Sequence, residues 1–346
     1  MLPYIIVFFI VLSLSKRINK NKWNIYDFII LIILVCFAGF RYKIGTDYVL
    51  YEAIYKNSTN LTNAVTNRTG YGFSILCNFM VNNGIDYKLF IFICSSITVS
   101  IFYIFYKKNS ENPGLSIILY MALGVYTSSF NGFRQLLSMS ILLLAFMSLR
   151  KRKYVGAIIF GVISFSIHSS SIFAIIIYSI LIRFNKINID FKKIFPFFIV
   201  FFVMYNYFFA KIIGLFADYS FYLDYESTAG LGTYMIVLTY LLVYIFFINP
   251  HKNDIIDNYK DSKLFYNLIT IGVCIMFIQI RSWLFARFSI YFSMFVPIVL
   301  AEYYKIRNLR NKELESFVFY CCIFVYYLVY IYSFGGVYPY KSIFLI

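Results

Sequence analysis

Apolar runs of roughly 14 to 22 residues recur along the whole chain, and short polar clusters separate them. About 20 consecutive apolar residues span the hydrocarbon of a bilayer as a helix, whereas membrane β-strands show short alternating segments. Of the 346 residues, 61% are hydrophobic and only 13% are charged, which excludes an ordinary soluble domain. The sequence therefore predicts an all-α, polytopic membrane protein, with residues 1–346 forming a single integral membrane domain.

About twelve segments carry this pattern, and we expect each to be a transmembrane or half-membrane helix. The expected limits are residues 2–15, 26–40, 89–106, 114–129, 134–149, 154–167, 169–182, 195–216, 232–248, 264–280, 288–301 and 317–334. The first segment lacks a basic N-terminal region and a clear small-residue cleavage site, so we expect it to be retained as a helix.

Basic residues are concentrated in alternate loops of this topology. Six loops hold 21 of the 31 Lys and Arg residues. These loops are residues 16–22, 107–113, 150–153, 183–193, 251–263 and 305–313. Because cytoplasmic loops carry an excess of Lys and Arg, we place these six loops inside and both termini outside. The formal charge of +16 then needs no nucleic-acid partner, since the sequence has no basic domain or stripe.

Residues 154–182 test this topology. They form one run of 29 mostly apolar residues between two basic loops, interrupted by Ser166 and by the polar residues 168–171. A single crossing would place basic loops on both sides of the membrane, so we predict a broken-helix hairpin that turns at His168. Non-helical backbone at that depth is tolerated only where protein or water surrounds it. His168 is therefore expected to line a cavity open to the outer side.

Other polar residues beside apolar runs fall on the same outer side. They are Arg41, Gly45, Asp47, Tyr48 and Tyr51 in the first long external loop (residues 41–88), Asn131, Arg134, Gln135, Arg281, Arg287 and Tyr291 at two outer turns, and Tyr340 and Lys341 near the C-terminus. No acidic residue lies within twenty positions of Arg134. An ionisable residue at membrane depth marks a functional site by default, and we expect these residues to converge.

Each of these residues also has a structural interpretation. The arginines could anchor helix ends by extending to the interface, and His168 could cap the second half-helix. Tyr48 and Tyr51 have a helical spacing that fits an interfacial aromatic belt as well as a ligand platform. Gly45 could end a helix or let the backbone approach a sugar.

The absence of several motifs limits the reactions that this protein could catalyse. It has no GxxxxGK[ST] loop for nucleotide phosphates, no HExxH zinc motif and no GxSxG nucleophile, and we predict no cofactor and no metal site. The substrates of an enzyme of this kind would arrive within the membrane. An arginine-rich outer pocket suits a lipid-linked phosphate or diphosphate, which arginine binds with its planar fork.

Three motifs carry a family resemblance. They are R-x-x-x-G-x-D-x-x-x-Y from Arg41 to Tyr51, N-x-x-R-Q from Asn131 to Gln135, and the pair His168 and Ser169. With "RFSIYF" and the closing "YPYK", they resemble the EpsG family of Wzy-like oligosaccharide repeat-unit polymerases, which serve bacterial surface polysaccharide synthesis. The likeness spans nearly the whole chain and agrees in the order and spacing of the motifs.

The resemblance implies a GT-C-like fold and glycosyl transfer on the outer side of the bacterial cytoplasmic (inner) membrane. A glycan on undecaprenyl diphosphate would be the donor and a second lipid-linked repeat unit the acceptor, in O-antigen, capsule or exopolysaccharide synthesis, with membrane lipid and a chain-length regulator as further partners. Arg134, Arg287 and Arg41 would hold the donor diphosphate, and His168 or Asp47 would take the acceptor proton. The transfer would invert the anomeric centre without a metal. The remaining substrate contacts would come from Gly45, Tyr48, Tyr51, Asn131, Gln135, Ser169, Tyr291, Tyr340 and Lys341.

Two functions of other classes remain open. A lipid-linked oligosaccharide flippase or transporter also has about twelve helices and internal cations, but it would distribute its charges through a cavity reachable from both sides. A membrane O-acyltransferase also uses a histidine in an apolar stretch. It would need access to a cytoplasmic acyl donor, whereas His168 is predicted on the outer side.

Overall fold

The computed structural model describes residues 1–60, 70–184, 186–207, 211, 230–259, 261–282, 284–307, 312–334 and 336–344. Within these ranges every regular element is a helix, and the extended pairing is limited to an antiparallel bridge between Arg41 and Ser342. The all-α prediction is therefore confirmed. The predicted segment 195–216 lies partly outside the described residues.

Helices α1 to α17 are Leu2–Ser15, Ile25–Gly39, Tyr48–Lys56, Tyr71–Asn82, Tyr87–Asn109, Pro113–Ala122, Val125–Asn131, Phe133–Arg150, Tyr154–Ile167, Ser171–Arg183, Phe191–Val203, Leu231–Val243, Lys252–Asn258, Ser262–Ile278, Leu284–Ser293, Val296–Ile306 and Lys312–Val329. A 3-10 turn, Asn57–Thr59, follows α3. The π-helical turns Tyr244–Ile248 and Tyr330–Phe334 extend α12 and α17.

By length and composition, four described helices could each cross a membrane, and two bent pairs raise that number to six. The four are α5, α8, α12 with its π-helical extension, and α17 with its extension. Helices α1, α2, α9, α10 and α14 are apolar but shorter. The protein is thus a multi-pass membrane protein, and the count of about twelve crossings stays a prediction.

Two segments predicted as single helices are each a bent pair, which corrects those two predictions. Helices α6 and α7 meet at 42°, as do α15 and α16. Gly124 begins α7 with a φ of +85°, and a Cβ atom there would lie 2.4 Å from the Tyr330 ring, so glycine permits the first bend. Pro297 stands at the start of α16, where its missing N–H group costs nothing.

The first long loop, residues 41–88, contains helices α3 and α4, which we did not predict from the sequence. The rings of Tyr48 and Tyr55 in α3 are buried against Tyr87 and Phe90 at the start of α5. They belong to a small aromatic cluster that is separate from the main core of the bundle. Tyr48 and Tyr55 of α3 therefore pack inside the protein. From the sequence we had left two alternatives open for the tyrosines of this segment, an interfacial aromatic belt and a platform for a ligand.

Helix α8 organises the part of the bundle that carries the site, because it packs against α5, α9 and α10. Ser138 of α8 and Ser164 of α9 are both buried, and each hydroxyl donates to the other residue's carbonyl oxygen, at 2.8 and 2.9 Å. The helices are antiparallel, so Arg134 and His168, each four residues away, lie at the same end. The serine pair therefore fixes the positions of Arg134 and His168 along the helix axes relative to each other.

Candidate functional site

The turn between α7 and α8 places Arg134 at the end of the bundle. Gly132 joins the two helices, and Arg134 is the second residue of α8. Its guanidinium lies 5.9 Å from the centre of the Phe73 ring, and its buried Nε atom has no hydrogen-bond partner among the described residues. A helix N-terminus carries a partial positive charge, so a cation there is unfavourable unless an anion binds with it.

His168 lies in the turn between α9 and α10, outside both helices. Its backbone N–H donates to the Ser164 carbonyl at 3.0 Å and ends α9. The Nε2 atom is buried, and no described residue forms a hydrogen bond with it. Burial, together with the positive charges of Arg134 and Arg287, lowers the pKa of His168 to about 3. The imidazole is therefore neutral near pH 7 and keeps one ring nitrogen that can accept a proton.

Helix α15 brings Arg287 and Tyr291 to the same place. These residues are four apart and share one face of the helix. Gln135 Nε2 donates to the backbone carbonyl of Arg287 at 2.5 Å, and the hydroxyls of Ser170 and Tyr291 lie 3.1 Å apart. Helix α15 is thereby attached to the start of α8 and to the hairpin turn.

Helix α3 adds Tyr51 and Asp47 to this group. The Tyr51 ring packs edge-on against Phe73 at a centroid distance of 5.9 Å. Burial raises the pKa of Tyr51, and the charges of Arg134 and Arg287 oppose that rise, so the phenol lies within electrostatic reach of both arginines. Asp47 precedes α3, and its charge also acts on Tyr51. The first long loop therefore contributes an acidic and a phenolic group beside the arginines.

Asn131 attaches the first long loop to the turn before Arg134. Its Oδ1 atom accepts the backbone N–H of Thr46 at 2.9 Å. Gly45 has a φ of +98°, and a Cβ atom there would lie 2.2 Å from the carbonyl oxygen of Phe130. Only glycine tolerates that conformation at that distance. Gly45 and Asn131 therefore have a structural task in holding the loop that carries Asp47.

The Arg41 side chain points into the protein and is only 1% exposed. Its guanidinium donates to Ser95 Oγ at 2.8 Å and to the carbonyl of Ala38, and it lies 5.1 Å from the centre of the Phe130 ring. This position makes Arg41 a brace behind the turn that carries Arg134. A contact between Arg41 and the donor diphosphate, which we predicted from the sequence, is not favoured by this burial.

The C-terminal segment packs over the start of the first long loop. Tyr340 stacks on Phe37 at 4.1 Å and donates from its hydroxyl to the Phe37 carbonyl at 2.8 Å. The backbone carbonyl of Lys341 accepts the N–H of Tyr42 at 2.9 Å, while the Lys341 side chain is exposed. The Tyr340 ring thus contributes to the packing around Arg41, whereas the Lys341 side chain is exposed.

The predicted site residues fall into two groups. The structure brings together Asp47, Tyr51, Arg134, Gln135, His168, Arg287 and Tyr291. The second group contributes to packing or holds the loop in place, and its members are Arg41, Gly45, Tyr48, Asn131 and Tyr340. Ser169 and Lys341 are exposed. Arg281 is also exposed, with its guanidinium 4.7 Å from the centre of the Phe202 ring.

Sequence reasoning did not identify the serines that support this group. Ser138 and Ser164 lie one helical turn below Arg134 and His168, and Ser170 contacts Tyr291. The spacing of four residues in each helix was a usable signal, because it places the serines on the same helix faces as the candidate residues. Among the described residues, no group of three or more His, Cys, Asp or Glu residues could hold a metal ion.

Comparison with known proteins gives one match. A family model described as the EpsG family matches residues 24–342 of the chain. No curated protein matches the chain, and no solved structure matches it.

Proposed function

The chain belongs to the EpsG family of Wzy-like polysaccharide polymerase-type membrane proteins, and we propose that it polymerises oligosaccharide repeat units carried on undecaprenyl diphosphate. The product is a surface polysaccharide such as an O-antigen, a capsule or an exopolysaccharide. The family supports a role in polysaccharide biosynthesis, and the residues around Arg134 support the chemistry.

The observation that carries this proposal is the position of Arg134. Its guanidinium stands at the positive end of α8 with a buried Nε atom that no described residue contacts through a hydrogen bond, and Arg287 acts on the same neighbours. A dianionic or trianionic ligand would balance these charges, and arginine binds phosphate oxygens through two parallel hydrogen bonds. The donor diphosphate is the anion that fits, because it is also the leaving group of the transfer.

The arginines then have a catalytic task. Negative charge grows on the diphosphate as its bond to the anomeric carbon breaks, and preorganised donors aimed at that charge stabilise the transition state. A nearby base, His168 or Asp47, takes the proton of the acceptor hydroxyl as the new glycosidic bond forms. One direct displacement inverts the anomeric centre, and the arginines supply the electrostatic stabilisation that a metal ion gives in other transferases.

The proposed orientation of the site across the membrane rests on the residues at the two ends of α8. Arg134 and the basic residues 150–153 are separated by most of the helix, about 25 Å at 1.5 Å per residue. If the basic loops are cytoplasmic, the group around Arg134 faces outward. The same proposal includes about twelve membrane crossings, a GT-C-like arrangement of the helices, a location in the inner membrane and a chain-length regulator as partner.

The orientation predicts the labelling of single cysteines by a membrane-impermeant maleimide in intact spheroplasts. Cysteine at the exposed positions of Ser169 and Lys341 should react, and cysteine at Lys151 and Lys186 should react only after permeabilisation. The native cysteines Cys321 and Cys322 are exposed and should first be replaced by serine. The opposite labelling pattern would place the candidate site in the cytoplasm and contradict the proposal.

The proposed activity predicts which glycans accumulate, and which are lost, in cells that lack this protein. Single repeat units on the lipid carrier should accumulate at the outer surface and polymer should disappear, as measured by electrophoresis and mass spectrometry of extracted carriers. Absence of repeat units from the outer surface would instead indicate a flippase. Full-length polymer without an ester substituent would indicate an O-acyltransferase.

A further inference from the structure

Helix α4, in the first long loop, contacts both the end of α9 and the guanidinium of Arg134. It packs against α3 and α9. Its first residues are Tyr71, Gly72 and Phe73, and Gly70 immediately precedes it. The two glycines lie against α9, and the guanidinium of Arg134 lies over the Phe73 ring. One short helix therefore links the two parts of the candidate site.

Gly70 and Gly72 bring α4 closer to α9 than residues with side chains could. A Cβ atom at Gly70 would lie 2.5 Å from the carbonyl oxygen of Ser166 and 2.6 Å from that of Ile167. A Cβ atom at Gly72 would lie 2.2 Å from Ser166 Oγ and 2.8 Å from Ser166 Cβ. Since Ser166 and Ile167 end α9 directly before His168, these contacts hold the start of α4 at the hairpin turn.

The Phe73 ring supports the guanidinium of Arg134. The ring is fully buried, and the guanidinium lies over it at 5.9 Å from the ring centre. The rings of Tyr51 and Phe133 meet it edge-on at 5.9 and 6.1 Å, and Phe90 packs beside it at 6.2 Å. Neighbouring rings thus fix the Phe73 face, and its attraction for the cation restricts a long side chain that would otherwise sample several rotamers.

A guanidinium that makes two parallel bonds to a diphosphate works best when it is oriented before the substrate arrives. Resting on the proposed function, we propose that α4 is a positioning element of the transferase site, and that Phe73 is the residue through which it acts on Arg134. Phe73 directly follows Gly72 in the same helix, so a displacement of α4 from α9 moves the ring away from the arginine. The position of the Arg134 guanidinium is thereby linked to that of the turn that carries His168.

Phe90→Leu is the matched control for Phe73→Leu. Both rings are fully buried in the same aromatic cluster, but among the described contacts only the Phe73 ring lies under an arginine. Leucine keeps most of the apolar volume and removes the aromatic face. We expect Phe73→Leu to lower kcat for polymerisation and to weaken binding of inorganic diphosphate, each about tenfold, within the range of a cation–π contact shielded from water. Phe90→Leu should change both by less than about twofold, because no such contact is lost.

A double variant tests whether Phe73 acts through Arg134. In the Arg134→Gln background no cation remains over the ring, so Phe73→Leu should change the residual rate less than about twofold. Full additivity of the two effects would assign Phe73 to packing alone and overturn the inference. Equal losses in Phe73→Leu and Phe90→Leu would overturn it as well.

The glycine contact has its own test, which also covers loss of folding. Gly72→Ala should displace α4 and slow polymerisation at least about tenfold, since misplacing a catalytic group by about 1 Å costs up to about a hundredfold. Adding Ser166→Gly should restore most of the rate, because it removes the Oγ and Cβ atoms that the new methyl group would meet. The methyl group of Gly70→Ala meets backbone carbonyls instead, so Ser166→Gly should not restore that variant. A wild-type rate in Gly72→Ala, or no recovery in its double variant, would refute the link to the hairpin turn.

The inference and the proposed function can fail separately, because diphosphate binding does not require polymerisation. If Phe73→Leu weakens diphosphate binding and Phe90→Leu does not, while the wild-type protein forms no polymer from lipid-linked repeat units, the polymerase proposal is wrong and the role of Phe73 stands. If the wild-type protein polymerises and Phe73→Leu changes neither kcat nor diphosphate binding, the role of Phe73 is wrong and the polymerase proposal stands.

Discussion

Arg134→Lys is expected to reduce polymer formation by at least about 10²-fold, the usual cost of removing one donor from a site that stabilises developing negative charge. Lysine keeps the positive charge at the start of α8 but replaces a planar fork by a single ammonium, so it cannot make two parallel bonds to phosphate oxygens. The measurement is the rate of polymer formation by purified protein on lipid-linked repeat units, with single repeats as the starting material.

Arg281→Lys is the matched control for this experiment. Arg281 is exposed and its guanidinium lies over the Phe202 ring, so it has the position of an anchoring residue. We expect Arg281→Lys to retain the wild-type rate and Arg287→Lys to lose it as Arg134→Lys does. A normal rate in Arg134→Lys would remove the diphosphate role from that residue. Equal losses in all three variants would point to a general requirement for arginine at the membrane interface.

The helices could be predicted from sequence because their signal is local. Runs such as those of α5 and α8 exceed what a soluble protein tolerates, and the structure has helices there. The two helix bends are harder to predict from sequence. Gly124 and Pro297 bend the chain through their backbone geometry, and the runs that contain them remain apolar. Helices α3 and α4 were missed because their burial comes from aromatic rings, which a search for apolar runs does not separate from loop residues.

The site was only partly predictable, for a related reason. Arg134 stood out because no acidic residue is near it in sequence, and the structure leaves its Nε atom without a partner in the described chain. Arg41 had an equally polar setting in sequence, but its burial depends on Phe130 and on a bridge to Ser342 near the other end of the chain. Contacts of that range carry no local signal, so sequence could not separate a brace from a ligand-binding arginine.

His168→Gln is expected to lower the polymerisation rate by roughly 10² to 10⁴, the usual contribution of a general base. Glutamine keeps the backbone N–H bond to the Ser164 carbonyl and so preserves the hairpin turn. It has no nitrogen that takes a proton near neutral pH. Insertion in the membrane and binding of undecaprenyl diphosphate should stay at the wild-type level, and single repeats should persist.

The pH profile gives an independent readout of the same role. Burial and the two arginines lower the pKa of His168 to about 3 in the substrate-free protein, so kcat/KM should show no loss from His168 as pH falls from 8 to 5. A bound diphosphate opposes those positive charges and raises the pKa of His168, but it leaves the burial in place, which is the larger cause of the lowering, so the pKa stays below its ordinary value of about 6.5. Since the base acts in its neutral form, kcat should fall as pH drops through that raised pKa.

Asp47→Asn decides between the two candidate bases. If this variant keeps the wild-type rate while His168→Gln is slow and its kcat no longer falls at low pH, the histidine accepts the proton. The reverse pattern transfers the role to Asp47, which lies beside the same arginines through Tyr51. If His168→Gln polymerises at the wild-type rate with an unchanged pH profile, the imidazole takes no part in the proton transfer, and His168 only ends α9 through its backbone N–H. Its Nε2 atom, which has no hydrogen-bond partner among the described residues, would then mark a polar hinge between two helices.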